Sequence, residues 1–210
     1  MAPLPLEALR PLLELLDMAG VAVFAISGAL AAARGRHTIV TFAFFAAVTG
    51  IGGGTLRDLL IGAPVFWVGR SDYVGVCLIA AGGVWLLRAT RWQLPALLWF
   101  DAIGMAAYAV IGAAKALGAG LPPLPAIVMG VLTASFGGIV RDVLAHEPSV
   151  LLRPEIYVSA ATLGAGLYVV LTVFGAGALP AGAIGVAAGF ALRALAISRG
   201  LALPGYGDKQ

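Results

Sequence analysis

The sequence predicts an all-α integral membrane protein of seven transmembrane helices, arranged as two inverted three-helix repeats plus a seventh helix. Three observations predict it. Apolar residues make up 61% of the 210 and charged residues only 11%, against roughly a quarter charged in soluble domains. Apolar runs near the ~20 residues needed to cross hydrocarbon recur from end to end. Finally, the chain repeats itself at a shift of 84 positions without a gap, and a repeat of this kind is informative before any local signal.

The spans are expected at about 12–33, 38–61, 73–90, 94–117, 123–145, 156–175 and 178–198, within a single transmembrane domain covering residues 1–210. Repeat one is about 12–90, repeat two about 94–175, and the seventh helix has no counterpart. Pro64, Pro95, Pro122, Pro123, Pro125, Pro148, Pro154 and Pro180 fall in or beside the connections, where helices begin and end. Residues Met1 to Leu16 carry prolines and acids but no basic leader region, so the first span is expected to direct insertion. Leu201 to Gln210 reads as a short polar tail.

The landmarks of the two repeats coincide. Asp17 falls on Asp101, Gly20 on Gly104, Gly28 on Gly112, Gly53 and Gly54 on Gly137 and Gly138, and Arg57 and Asp58 on Arg141 and Asp142. Pro64 falls on Pro148 and Tyr73 on Tyr157. Three spans per unit is an odd number, so the second copy crosses in the opposite sense, the inverted architecture of many transport proteins.

Two glycine clusters interrupt these spans: Gly52, Gly53 and Gly54 in the second, Gly137 and Gly138 in the fifth. Each glycine weakens a helix by ~1 kcal/mol against alanine, and non-helical backbone at membrane depth survives only in protein or beside a wet cavity. Kinks at these glycines, with freed carbonyls, are therefore expected. An Arg-Asp pair trails each cluster, Arg57-Asp58 and Arg141-Asp142, and intramembrane charges mark functional paths and find partners. The expected partners are Asp17 for Arg57 and Asp101 for Arg141, one bridge in each half of the membrane, with the arginines as gate elements. Asp58 and Asp142 then stay unpaired. Four aspartates against two arginines give the path a negative excess, which concentrates cations between low-dielectric walls. Thr49, Thr55, Thr133 and Ser135 flank the clusters and add hydroxyls.

Other readings are structural. Asp17 and Asp101 also suit helix N-termini at an interface, and Gly164-Ala165-Gly166 suits close packing. Ser27 is expected to bond its own helix. His37 and His146 are lone interfacial residues without a second ligand at useful spacing, Glu147 beside His146 is a loop pair, and Cys77 is a small buried residue. There is no Ser-His-Asp set, nucleophilic cysteine or phosphate loop, since Gly50 to Gly54 lacks the Lys-Ser/Thr ending. No enzyme, cofactor, metal or nucleic-acid partner is expected.

Orientation follows the distribution of basic residues. Arg34, Arg36, Arg88, Arg91, Arg153, Arg193, Arg199 and Lys209 collect on one side, and Arg10, Arg70 and Lys115 on the other. A cytoplasmic C-terminus and an outside N-terminus follow, in a cell membrane, with a bacterial inner membrane expected. Trp92 and Trp99 flank an inner loop and Trp67 and Tyr73 an outer one.

On these residues the sequence resembles the trimeric intracellular cation (TRIC) channel family, in its bacterial branch. The resemblance covers about residues 12–200 and rests on the repeat, the extra seventh helix, the two glycine clusters and the basic residue after each. It implies a homotrimer in membrane lipid, each protomer carrying a pore around kinked second and fifth helices, conducting potassium and sodium. Animal members of the family bind a phosphoinositide at basic residues after the fifth-helix break, a place that Arg141 occupies here. Related bacterial proteins have been connected with glycine uptake. The alternative function is accordingly a secondary carrier of a small zwitterion such as glycine, and a third reading is a scaffold without transport.

Overall fold

The computed structural model describes residues 6–87 and 93–204. Arg88, Arg91, Trp92, Lys209 and the Arg10 side chain, which entered the orientation reading, lie outside it, as does the tail beyond residue 204. Seven helices make up the described chain: α1 (Leu6–Arg34), α2 (Ile39–Leu60), α3 (Asp72–Leu87), α4 (Gln93–Gly118), α5 (Pro123–Leu144), α6 (Val158–Val173) and α7 (Ala178–Arg199). Five of them are long and apolar enough to cross a membrane, while α3 and α6 have 16 residues each, about 24 Å at 1.5 Å per residue.

The packing obeys the repeat. α1 packs on α2 and α3 as α4 packs on α5 and α6, and the halves meet where α1 touches α4 and α2 touches α5. The pseudo-two-fold is visible in side chains. Phe24 and its counterpart Tyr108 meet edge to face with ring centroids 5.4 Å apart, a favoured aromatic geometry. Gly20 makes room for the Tyr108 ring, and Gly104 for the Phe24 ring.

Both α2 and α5 remain α-helical through their glycines. The expected freed carbonyls are not there; the glycines serve close approach instead. A Cβ on Gly53 would collide with the Thr133 carbonyl, and one on Gly137 with the Thr49 carbonyl. The two helices thus cross backbone to backbone near their middles, the reciprocal contact that two-fold symmetry requires. Gly52 has room, its nearest neighbour being Gly137 Cα at 3.8 Å.

The seventh helix breaks the symmetry by packing on α4 and α6. A Cβ on Gly164 would meet the Gly185 carbonyl at 3.0 Å, and one on Gly189 the Ala160 carbonyl at 3.1 Å. Small residues set this helix spacing, as in other membrane bundles. Gly166, expected in the same contact, has open space beside it. Beyond α7 the chain turns back on the α5–α6 connection, where Leu203 N–H donates to the Pro154 carbonyl at 2.8 Å.

Candidate functional site

Arg141 and Arg57 both sit seven to eight residues past the middles of their helices, about 11 Å towards opposite ends at 1.5 Å per residue. Each is buried, with 3% of its surface exposed. The two surroundings can be compared position by position.

Around Arg141 each guanidinium nitrogen has a partner. Nη1 donates to Asp101 Oδ1 and to Ser27 Oγ, both at 2.5 Å. Nε and Nη2 reach Asp142 Oδ1 at 2.9 and 2.8 Å. Asp142 Oδ2 accepts the Val150 N–H at 3.1 Å, which ties the α5–α6 connection to the helix. Asp101, in α4, is therefore bridged to Arg141 in α5. Ser27 was expected to bond its own helix, yet it reaches across from α1. That contact needs the close approach of α1 to α5, which no local pattern encodes.

Around Arg57 the partners differ. Nε donates to Asp58 Oδ1 at 2.8 Å, and Lys115 Nζ reaches the same oxygen at 2.8 Å. Asp58 Oδ2 accepts the Phe66 N–H at 3.0 Å, the counterpart of the Val150 contact. The expected Asp17–Arg57 bridge does not form. Asp17 lies well inside α1, and two hydroxyls occupy its carboxylate: Tyr73 Oη donates to Oδ2 at 2.7 Å, and Tyr108 Oη to Oδ1 at 3.1 Å. Tyr108 supplies a hydroxyl where repeat one has Phe24, and this redirects Asp17. Arg57 Nη1 is left buried without a partner.

Two further expectations change. Asp58 and Asp142 are not free carboxylates, since each is paired with its neighbouring arginine. The flanking hydroxyls are mostly turned inward: Thr133 donates to the Met129 carbonyl at 2.6 Å, Ser135 to that of Val131 at 2.7 Å, and Thr55 to that of Ile51 at 2.7 Å. Such back-bonding satisfies a hydroxyl in a low-dielectric interior. Thr55 Oγ1 also accepts the Trp67 indole N–H at 2.9 Å, so Trp67 is anchored to α2. The Thr49 hydroxyl is buried without a partner at the crossing of α2 and α5.

A cavity of about 170 Å³ opens onto the Arg141 cluster. Asp101, Arg141 and Asp142 form part of its wall, and Arg34, Glu147, Arg153, Glu155 and Arg193 also line it. These outer groups form a chain of alternating charge: Arg34–Glu147 at 3.0 Å, Arg153–Glu147 at 3.9 Å, Arg153–Glu155 at 3.7 Å and Arg193–Glu155 at 2.5 Å. Glu147 lies in the loop after α5 beside His146, as expected, and also joins this chain of charges. Arg193 brings α7 into the site. It is buried, it lies over the Tyr157 ring at 5.2 Å, and its Nε has no partner. A charge in the unrepeated helix had no counterpart to flag it; its position within an apolar span was the available signal. Among the described residues no cluster of metal-ligating side chains occurs.

Comparison with known proteins follows the same two-fold division. A family model described as Glycine transporter matches residues 14–89 and again residues 98–173. The chain belongs to this family. The start and the end of the second match each lie 84 positions after those of the first, the same shift that relates the two repeats. A UPF0126 membrane protein of Vibrio cholerae is 41% identical over 201 residues, covering 93% of this chain and 83% of that protein. The UPF0126 inner membrane protein YadS of Escherichia coli strain K12 is 43% identical over 155 residues, 71% of this chain and 73% of that one. Among solved structures, the TRIC trimeric intracellular cation channel orthologue of Rhodobacter sphaeroides matches with a TM-score of 0.86 and 46% identity, covering 89% of this chain and 97% of that one. The chain is thus a multi-pass membrane protein with the TRIC fold, as its resemblance to that family implied.

Proposed function

We propose that this protein conducts monovalent cations, potassium and sodium, through a path inside each protomer of a homotrimer. The observation that carries the reading is the cavity that leads from one end of the bundle to Asp101, Arg141 and Asp142. The whole wall balances four arginines against four carboxylates, but at its floor one guanidinium and two carboxylates leave a local formal negative excess, and that local excess raises cation concentration there. The path continues towards Arg57 past the crossing of α2 and α5. Arg141, bridged to Asp101 and Asp142, closes the floor of the cavity and must shift for an ion to pass; Arg57 holds the equivalent place at the other end. The likeness to a solved TRIC channel supports both the conduction and the trimer. Arg34, Arg153 and Arg193 gather at the cavity end, which supports a cytoplasmic mouth.

The test is a reversal potential in a planar bilayer under a potassium chloride gradient. The expected value lies near the potassium equilibrium potential and moves towards zero in Asp101→Asn and Asp142→Asn. A wild type that carries no current in bilayers overturns the reading.

A second reading has its own support. The family model is described by glycine transport, and a cavity wall holding both a guanidinium and carboxylates suits a small zwitterion near the middle of an inverted repeat. Exchange of labelled glycine across liposomes without current would select it.

A further inference from the structure

The repeat supplies an internal control for the residues of α1 to α6 and their connections around the cavity. At the Arg141 end, Ala31 and Val150 line the open space. Their counterparts at the Arg57 end are Lys115 and Phe66. Phe66 packs over Gly54, where an added Cβ would lie 2.6 Å from its ring, and it also meets Tyr73 edge to face at 4.8 Å. The equivalent Gly138 is buried too but has no ring packed on it: its Cβ would meet polar atoms of Asp101, Arg141 and Tyr157 at 3.5 Å or more. Lys115 reaches Asp58 with its ammonium at 2.8 Å, while its own side chain stays 37% exposed and Asp58 is fully buried.

Charge follows the same pattern. Arg57, Asp58 and Asp17 repeat the one-guanidinium, two-carboxylate set of Arg141, Asp142 and Asp101. Lys115 adds one positive charge to the first set, and Ala31 adds none to the second. We infer that Lys115 is a tethered cation: its ammonium occupies on Asp58 the position that a monovalent cation takes when the side chain swings away, and with Phe66 it closes the Arg57 end of the path. The flexible four-carbon stem and compact charge of lysine suit such a removable plug. This inference rests on the proposed cation conduction for its physiological meaning, but the site itself is testable without current.

The experiment measures thermal unfolding of the purified protein in detergent, in potassium chloride against choline chloride at equal ionic strength. A cation that binds only the folded state raises the melting temperature. Lys115→Ala and Lys115→Met are expected to gain a potassium-dependent rise over wild type, and adding Asp58→Asn is expected to abolish that gain. Lys115→Met retains the stem and guards against a packing defect. The same variants are then placed in bilayers, where both are expected to raise potassium conductance several-fold over wild type, with Phe66→Val adding to the rise. No gain in potassium-dependent stability in either Lys115 variant, or a gain that survives Asp58→Asn, overturns the tether. If the stability gain appears while neither wild type nor variants carry current, the tether stands and the conduction reading fails. If wild type conducts and the variants match it in both assays, conduction stands and the tether fails.

Discussion

Gly53 in α2 rests directly on the backbone of Thr133 in α5, and the repeat returns the contact as Gly137 on Thr49. This reciprocal contact fixes the depth at which the two central helices cross. Alanine at either glycine must force backbone against backbone, which a helix cannot relieve by a rotamer change. Overpacking of this kind costs ~1–3 kcal/mol, more than the ~1 kcal/mol that alanine returns in helix propensity. Gly53→Ala and Gly137→Ala are expected to lower the melting temperature in detergent, and Gly52→Ala, whose Cβ finds its nearest atom 3.8 Å away, to leave it unchanged or higher. Equal losses in all three would mean that flexibility, and not close approach, is what the glycines supply.

Ser27 completes the coordination of Arg141, and its repeat counterpart, Ile111, offers Arg57 nothing. Hydrogen bonds to charged groups contribute ~1.5–3 kcal/mol, so Ser27→Ala is expected to destabilise by about that much. The converse isolates the hydroxyl: Ile111→Ser and Ile111→Ala remove similar apolar surface, but serine presents a partner to the orphaned Arg57 Nη1. The serine variant is expected to be the more stable of the two by ~1 kcal/mol. Denaturation curves for the four proteins decide it, and identical Ile111 variants would show that Arg57 finds its partner elsewhere.

These two sites show what the sequence made legible. The 84-residue shift located both arginines, the α1 and α4 aspartates and both glycine clusters, though as expected kinks and not as a helix crossing, because symmetry in an inverted repeat is carried by identical residues at equivalent positions. The Asp101–Arg141 contact follows from that pattern; the Asp17–Arg57 contact, read from the same pattern, does not form. The reason lies in positions where the repeats differ. Tyr108 against Phe24, Ile111 against Ser27, Lys115 against Ala31 and Phe66 against Val150 each change what the equivalent charge can touch. Asp58 and Asp142 were expected to be free because the arginines were assigned to Asp17 and Asp101; adjacent residues project ~100° apart on a helix, and the guanidinium stem is long enough to fold back across that angle. Listing the mismatches between the repeats, along with the matches, would have pointed to Lys115 and Tyr108 from sequence alone.

The turns carry the repeat as well. Arg36 has φ 52° where its counterpart Gly120 has 83°, and His146 has φ 54° where Gly62 has 69°. A left-handed conformation costs a residue with a Cβ ~1–2 kcal/mol. Gly120→Ala, with open space around it, is therefore expected to destabilise by ~1 kcal/mol through backbone strain alone. Arg36→Gly relieves the same strain but adds ~0.5–1 kcal/mol of glycine backbone entropy, so a gain of no more than ~1 kcal/mol is expected. Thermal unfolding of the two variants checks the sign, and a loss in Arg36→Gly would show that the arginine side chain holds the turn.

The cavity also gives a direct reading of orientation. Ala145 lines it, just past the end of α5. The native Cys77 is fully buried within α3, so Cys77→Ser removes the background thiol, and Ala145→Cys then places a single reporter in the wall. Arg34, Arg153 and Arg193 line the same cavity and are the basis for the proposed cytoplasmic side of this end. A membrane-impermeant, positively charged thiosulfonate is expected to label the reporter rapidly in inside-out vesicles and slowly in intact cells. On the proposed reading, the local excess of one negative charge at Asp101, Arg141 and Asp142 is expected to favour that reagent over an anionic one of the same size, and the preference to weaken as salt screens the field. Rapid labelling from intact cells would invert the orientation and place the arginine-rich mouth outside. Equal rates for the two reagents at low salt would remove the electrostatic basis on which cation conduction is proposed.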